Sequence, residues 1–111
     1  MQPGPQFAVR KFRDARGRSR ISRLEDLPNV GPAIALKLRQ LAIRTPLDLA
    51  GRDPYELYAK LNARTGVRHD PCLLDVFISV TRFVAGAPTR PWWAYTAERK
   101  KILAAQRRRA T

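Results

Sequence analysis

The sequence has little of the chemistry that disulfides and metal sites need, because it contains one cysteine and one histidine. Cys72 has no partner for an internal disulfide, which favours a reducing compartment. His69 lies three positions before it, a spacing that suits half of a metal site or a nucleophile pair. A structural zinc site needs four ligands, and the sequence has no second cluster of them. We therefore favour a structural interpretation, in which His69 precedes a capped helix and Cys72 is a small buried hydrophobic residue.

Long apolar segments are also missing. The longest, residues 72–85, is too short to span a bilayer, and residues 1–20 hold no apolar run of the kind that a signal peptide has. An arginine-rich, acid-poor start is also a feature of organellar transit peptides, but Pro3, Pro5 and Gly17 would interrupt an amphipathic helix there. The sequence therefore predicts a cytoplasmic protein.

Acidic residues are scarce, since 9 Asp and Glu face 22 Lys and Arg, and the formal net charge is +13. A field of this sign attracts polyanions, either nucleic acid or an anionic membrane surface. Residues 1–21 and 98–111 each carry six cations against one acid, +5 each, which leaves +3 for residues 22–97. We expect these ends to be flexible basic arms that contact nucleic acid. Their cations are Arg10, Lys11, Arg13, Arg16, Arg18, Arg20, Arg99, Lys100, Lys101, Arg107, Arg108 and Arg109.

The few carboxylates argue against an enzyme, because nucleases and glycosylases need acids placed for metal binding or proton transfer. Asp14 lies in the N-terminal arm, and only Asp26 and Asp75 have no predicted role at a helix start; neither belongs to a recognisable catalytic pattern. Phosphate-binding loops and dinucleotide fingerprints are absent from the sequence. We therefore predict no catalytic residue. The remaining acids are assigned to helix caps or first helical turns, where they stabilise the helix locally: Glu25, Asp48, Asp53, Glu56, Asp70 and Glu98.

Two helix-start signals lie close together near the N-terminal arm. Ser22 and Glu25 have the spacing of a capping box, and the short helix that they open must end near Leu27, because a proline follows. Gly31 is placed to cap a second helix that begins with Pro32. The pattern predicts a short helix, a tight turn and a longer helix.

The combination of a capping residue and a proline recurs at 45–46, 53–54 and 70–71. It predicts two units of the same kind, at residues 22–43 and 45–63, which indicates an internal duplication whose second copy is degenerate. Because no segment alternates convincingly between apolar and polar residues, the predicted fold class is all-α.

Residues 71–85 are apolar around most of a helix circumference, with only Asp75, Ser79 and Arg82 in a narrow polar stripe. A helix of this composition belongs in the core. We expect it to be the buried central helix that supports both units.

A cluster of aromatic residues follows, made of Trp92, Trp93 and Tyr95. These rings suit stacking on unpaired bases, but large aromatic side chains also dominate core packing. We favour packing, with the cluster docking a last helix that Thr96 caps and that continues into the basic C-terminal arm.

The segment LEDLPNVGPAIA at residues 24–35 resembles the helix-hairpin-helix signature, in which two short helices flank a glycine-containing hairpin. A tight turn that leads into a helix exposes backbone amides without intrahelical partners, and the helix dipole adds positive charge. Such a site suits a phosphate oxygen. Gly31 allows the nucleic-acid backbone to approach closely, and Val30 can anchor the turn in the core. The alternative is that the hairpin only packs helices.

The hairpin departs from the signature at two positions. Asn29 stands where the family usually has its first glycine, and asparagine is among the few other residues that tolerate a left-handed conformation. Ala33 replaces a frequent lysine or arginine, and Lys37, one turn further on, is placed to substitute for it. In the wider superfamily, hairpin carbonyls hold a monovalent cation, so the resemblance leaves room for a similar site here. The residues indicate no other cofactor.

A wider resemblance covers residues 22–100. The hairpin segment, the segment GVRHDPC at 66–72 and the segment PWWAYT at 91–96 resemble the small bacterial pathogenicity-locus family of helix-hairpin-helix proteins. The biochemical role of that family is poorly defined, so the resemblance supports the fold more than the function.

We therefore expect a basic arm at 1–21, a helix-hairpin-helix domain at 22–97 and a basic helix or tail at 98–111. The predicted function is binding of double-stranded DNA without sequence specificity. The alternatives are an RNA-binding or ribosome-associated protein and a protein-interaction module. The expected contacts are Asn29, Val30, Gly31, Ala33 and Lys37 in the hairpin, with the arginines and lysine of 10–20 and Arg107, Arg108 and Arg109 in the arms.

Overall fold

The computed structural model describes residues 21–110, and within that range the chain is all-α without a strand. We number its four helices α1 to α4. The helices are α1 (Pro32–Gln40), α2 (Pro54–Thr65), α3 (Pro71–Val84) and α4 (Thr96–Ala110), and short 3₁₀ helices cover Leu24–Asp26, Pro46–Leu49 and Trp92–Tyr95. None of the helices between residues 21 and 110 is long and apolar enough to cross a membrane. The predicted fold class is confirmed.

Three of the predicted helix starts are confirmed by their caps. The Asp53 carboxylate accepts the amide of Tyr55 at 2.9 Å, and the Asp70 carboxylate accepts the amide of Cys72 at 2.8 Å. Each cap is followed by a proline, whose missing N–H costs nothing in the first turn. Gly31 is the N-cap of α1, again with proline in the next position.

The predicted capping box at Ser22 and Glu25 is wrong. The first turn is a 3₁₀ helix that begins at Leu24, so the acid in its third position is Asp26. The Asp26 carboxylate accepts the amide of Ser22 at 3.1 Å and that of Arg23 at 3.0 Å. Glu25 instead accepts a hydrogen bond from the guanidinium of Arg39 on α1 at 3.0 Å.

Helix α3 forms the centre of the core, as predicted. It packs against α2, α4 and the 3₁₀ helices at 46–49 and 92–95. Phe77 is fully buried among the leucines of both units, and Leu74 and Ile78 contact the buried ring of Tyr95. The aromatic cluster therefore divides: Tyr95 is in the core, Trp92 packs on it half-buried, and Trp93 is 63% exposed.

Two residues of the predicted polar stripe of α3, Asp75 and Ser79, are buried, and Arg82 is exposed. Asp75 is fully buried and accepts from Arg99 of α4, from Nε to Oδ1 at 2.9 Å and from Nη2 to Oδ2 at 3.2 Å. The Thr96 hydroxyl donates to the same carboxylate at 2.7 Å. Thr96 does not cap α4 as predicted, because its own backbone is helical, with φ −61° and ψ −43°. Arg82 pairs with Glu98 of α4 at the surface. Two ion pairs, Asp75 with Arg99 and Arg82 with Glu98, therefore join α3 to α4 and fix α4 in place.

Candidate nucleic-acid interface

The first tight turn joins the 3₁₀ helix Leu24–Asp26 to α1. The amide of Val30 donates to the carbonyl of Leu27 at 3.2 Å, and Asn29 has a φ of +69°. These features are those of a type II turn with an asparagine in the left-handed position. The prediction that Asn29 tolerates this conformation is confirmed. Val30 is 7% exposed and anchors the turn in the core, also as predicted.

The side chain of Asn29 holds the turn in place from a distance. Its Nδ2 donates to the hydroxyl of Ser79 on α3 at 3.2 Å and to the carbonyl of Arg90 at 2.8 Å. A glycine in this position would supply the backbone conformation without either bond. Sequence reasoning missed this role, because the two partners lie 50 and 61 positions along the chain and no local pattern connects them.

Beyond the turn, the start of α1 presents open backbone donors. The first intrahelical bond runs from the amide of Ala35 to the carbonyl of Gly31 at 2.9 Å. The amides of Gly31, Ala33 and Ile34 have no acceptor among residues 21–110. Gly31 is extended, with a φ of −100°, and a Cβ built on it meets nothing within 4 Å. Gly31 and Ala33 are exposed, so this helix start lies at the surface, and the positive end of the helix dipole lies there too.

The second turn repeats this backbone 22 positions further along the chain. The amide of Arg52 donates to the carbonyl of Leu49 at 3.1 Å, and Gly51 has a φ of +73°. The carboxylate of Asp48 accepts the amides of Arg44 and Thr45, as that of Asp26 does in the first unit. The two units therefore share their turn type, their acidic cap and their proline at the helix start.

The two turns differ at the N-cap of the following helix. In the second turn the Asp53 side chain accepts the amide of Tyr55, so one donor is satisfied and a negative charge lies at the helix end. In the first turn Gly31 has no side chain and leaves its donors open. The first turn therefore leaves backbone donors open at the helix start, whereas the second turn has an internal acceptor there.

A groove opens beside the first turn, between α1 and the start of α3. Its volume is about 400 Å³, and most of its wall is apolar. Lys37 lies on this wall, half-buried, while Ala33 is exposed at the helix start. The lining residues are Ile34, Lys37, His69, Asp70, Cys72, Leu73, Val76 and Trp92.

Only some cations of the predicted arms lie where a ligand could contact them. Arg107, Arg108 and Arg109 are exposed at the end of α4, which continues the folded domain as a helix. Arg99 is buried against Asp75 and is therefore not placed to contact a ligand. The six predicted contacts between residues 10 and 20 lie outside the described residues.

The surroundings of His69 and Cys72 suit a structural role rather than metal binding or nucleophilic chemistry. Asn62 Oδ1 accepts the amide of His69 at 3.0 Å and lies 2.7 Å from its Nδ1, and the Tyr58 hydroxyl donates to its carbonyl. Cys72, predicted to be buried, is half-buried. A hydrogen bond with the Asp70 carboxylate, together with burial, raises the pKa of the Cys72 thiol. A raised pKa keeps the thiol protonated at neutral pH, so it is a poor nucleophile.

The described part of the chain holds no group of three or more His, Cys, Asp or Glu that would bind a metal ion. The carbonyls of Leu24 and Leu27 already accept the amides of Leu27 and Val30 within the first turn. Each of these carbonyls keeps a second lone pair, so the monovalent cation that the superfamily resemblance suggests stays a prediction.

Comparison with known proteins identifies the family. The sequence model described as "Pathogenicity locus" matches residues 17–101. This chain belongs to the pathogenicity locus family. A relative within the curated proteins is the mitomycin resistance protein McrB of Streptomyces lavendulae, 45% identical over 85 residues, which are 77% of this chain and 81% of the relative. No solved structure matches the chain. The family resemblance stated from the hairpin, the 66–72 segment and the 91–96 segment is confirmed.

Proposed function

We propose that this member of the pathogenicity locus family is a DNA-binding protein in which the first turn acts as a helix-hairpin-helix motif. The observation that carries the proposal is the set of open amides at Gly31, Ala33 and Ile34. A phosphate oxygen there accepts backbone hydrogen bonds and lies at the positive end of the α1 dipole. These contacts involve only the sugar-phosphate backbone, so they carry no base sequence information.

The contrast between the two turns supports this assignment. Both have the same backbone, but only the first leaves its donors open, whereas Asp53 supplies an internal anion to the second. Each chain then binds one phosphate through a hairpin. The second turn serves helix packing alone.

The cationic ends supply the remaining affinity. Lysines and arginines that neutralise phosphates release condensed counterions, which gives affinity without sequence preference and a steep dependence on salt. The end of α4 contributes Arg107, Arg108 and Arg109 on a helix that is fixed to the core by Asp75 and Arg99. The segment 1–20 contributes six further cations.

The similarity to a mitomycin resistance protein suggests a cellular role for DNA binding by this chain. We propose that this chain shares the resistance role and performs it through the first turn. Bacteria producing the chain are then expected to survive higher mitomycin concentrations than bacteria producing the Gly31→Asp variant at the same level. Equal survival of the two cultures would show that resistance does not depend on the first turn.

A series of substitutions at Gly31 tests the binding site, because the space around it is empty and its φ suits any residue. Gly31→Ala adds one methyl group without charge, Gly31→Val blocks close approach, and Gly31→Asp adds an internal anion like Asp53. Hydrogen bonds to a charged group contribute ~1.5–3 kcal/mol, so we expect Gly31→Asp to weaken duplex binding by about tenfold or more. We expect the loss of duplex affinity to be smallest for Gly31→Ala, larger for Gly31→Val and largest for Gly31→Asp.

The assay is fluorescence anisotropy with two unrelated short duplexes at several salt concentrations. Asp53→Asn is the matched control, since asparagine also caps a helix and the second turn is not a phosphate site. Equal affinity of all three Gly31 variants, each with an intact helical circular-dichroism signal, would show that the hairpin only packs helices. Competition with structured RNA tests the RNA-binding alternative. That alternative predicts that the RNA displaces the DNA duplex from the protein.

The salt dependence tests the cationic ends separately. A protein containing only residues 21–106 lacks nine cations but keeps Arg99 and most of α4. If about half of the nine engage phosphates, the slope of log affinity against log salt should flatten by about four. An unchanged slope would show that the ends have another partner, as in a protein-interaction module. A lysine reversal, Lys37→Glu, is expected to weaken binding of the truncated protein further.

A further inference from the structure

We infer that the groove between α1 and α3 holds an unpaired nucleobase whose own phosphate is bound by the first turn. The inference rests on the proposed function, because the turn supplies the phosphate site. The preferred ligand is then DNA with a single-stranded end, a gap or a bulge.

The groove has the size and the wall of a small-ligand site. Its volume of about 400 Å³ lies near the lower end of the ~300–1,000 Å³ that such pockets occupy. The walls are the side chains of Ile34, Leu73 and Val76 and the indole of Trp92. The polar groups of Lys37, His69 and Asp70 lie with them and offer hydrogen-bonding partners to the edge of a base.

The groove and the phosphate site are adjacent through α1. Ile34 belongs to both, since its amide is one of the open donors and its side chain lines the groove. Lys37 follows three residues later, one helical turn along the same face, at ~1.5 Å of rise per residue. A nucleotide carries its base and its phosphate on one sugar, so a strand bound at the turn has a base within reach of the groove.

Trp92 provides a fixed aromatic surface in this groove. It packs on the hydrophobic core, and its ring meets that of Trp93 edge-on, with centroids 5.4 Å apart and planes at 85°. Stacking of bases on aromatic side chains is the usual way in which proteins hold unpaired nucleotides, and every base has a π-face that allows it. In a fully paired duplex the bases are stacked inside the helix and do not reach such a groove.

Charge favours a nucleotide over an apolar peptide side chain as the occupant. Residues 21–110 carry 16 Lys and Arg against 8 Asp and Glu, a net charge of +8. The only acid on the groove wall is Asp70, whose carboxylate is already bound to the amide of Cys72. An anionic polymer with exposed rings matches both the open amides and the apolar walls.

The experiment compares a short paired duplex with the same duplex carrying one unpaired adenine. We expect the bulged DNA to bind about tenfold more tightly, the effect of one stacked base. Trp92→Leu is expected to lower the ratio of the two affinities towards one, and Trp93→Leu, at the exposed neighbour outside the groove, should keep it. In a Trp93→Phe protein, Trp92 is the only tryptophan, and the bulged DNA should quench its fluorescence more than the paired DNA.

Cys72 gives a second measurement that needs no substitution. It is the only cysteine and lines the groove, so a base in the groove should slow its alkylation by N-ethylmaleimide. The bulged DNA should protect the thiol, and the paired DNA, at equal occupancy, should not. Equal affinity for both DNAs, or equal protection of Cys72 by both, would overturn the inference.

Failure of the inference differs from failure of the proposed function. If paired DNA binds in a manner that depends on Gly31 and the bulge adds neither affinity nor protection, the turn is the phosphate site and the groove proposal is wrong. If neither DNA binds measurably, or Gly31→Asp binds both as the parent protein does, the proposed phosphate site itself is refuted.

Discussion

The buried ion pair between Asp75 and Arg99 makes a strong prediction about stability. Arg99→Met removes the guanidinium but keeps much of the side-chain length. The Asp75 carboxylate, with a fully buried side chain, then keeps only the hydroxyl of Thr96 as a hydrogen-bonding partner. Breaking a buried pair in this way costs ~3–5 kcal/mol, because an uncompensated charge stays in a medium of low polarity.

The expected loss is large for a chain of this size. At ~4–8 °C per kcal/mol for a small domain, the melting temperature should fall by about 12–40 °C. Replacing both partners by apolar residues, as in Asp75→Leu with Arg99→Met, should recover most of this loss, since the desolvation of both charges also disappears.

Urea unfolding followed by far-ultraviolet circular dichroism measures both variants. Arg39→Met is the matched control, because its pair with Glu25 lies at the surface, with side chains 43% and 25% exposed. Such a pair contributes ~0–1 kcal/mol. An Arg99→Met loss no larger than that of Arg39→Met would refute the conclusion that the buried pair fixes α4 on α3.

Three further predictions concern the core, the caps and the thiol. Phe77→Ala should destabilise the protein by ~3–5 kcal/mol in urea unfolding, because the ring is fully buried; a loss below ~1 kcal/mol would mean that α3 is peripheral. Hydrogen bonds from two backbone amides lower the pKa of Asp48, so its contribution is present above the unfolded pKa of about 4 and is lost as pH falls through the folded value. Asp48→Asn should therefore reduce the fall of the urea midpoint in acid, and an unchanged acid profile would contradict this. Asp70→Asn keeps a helix cap but weakens the hydrogen bond and removes the charge that raise the pKa of Cys72, so alkylation at neutral pH should become faster; equal rates would show that burial alone raises it.

Local features of the fold could be predicted from the sequence, and long-range ones could not. The caps at Asp53 and Asp70 and the left-handed Asn29 depend on neighbouring residues, so pattern and spacing were sufficient. The predicted capping box has the observed spacing but begins one position too early. The N-cap is Arg23, so the acid in the third position is Asp26 rather than Glu25.

The candidate site was predicted in part for the same reason. The turn and the open N-cap at Gly31 are local, whereas the groove depends on how α1 meets α3, which no short segment specifies. Composition alone placed Arg99 in a basic arm. Its burial follows from Asp75, 24 positions earlier in the chain, and an acid on an otherwise apolar helix was the available signal.

At position 31, the residues that would make the fold more stable are those that would weaken anion binding at the first turn. Serine, asparagine and aspartate all cap a helix better than glycine does, by a few tenths of a kcal/mol. The space around a Cβ at position 31 is empty, so each of these side chains fits there and would accept an amide in place of an external anion. A library of variants sorted only for thermal stability should therefore replace Gly31 and, if the turn binds phosphate, lose the ligand with it. Retaining the glycine would require selection for binding rather than for a stable fold.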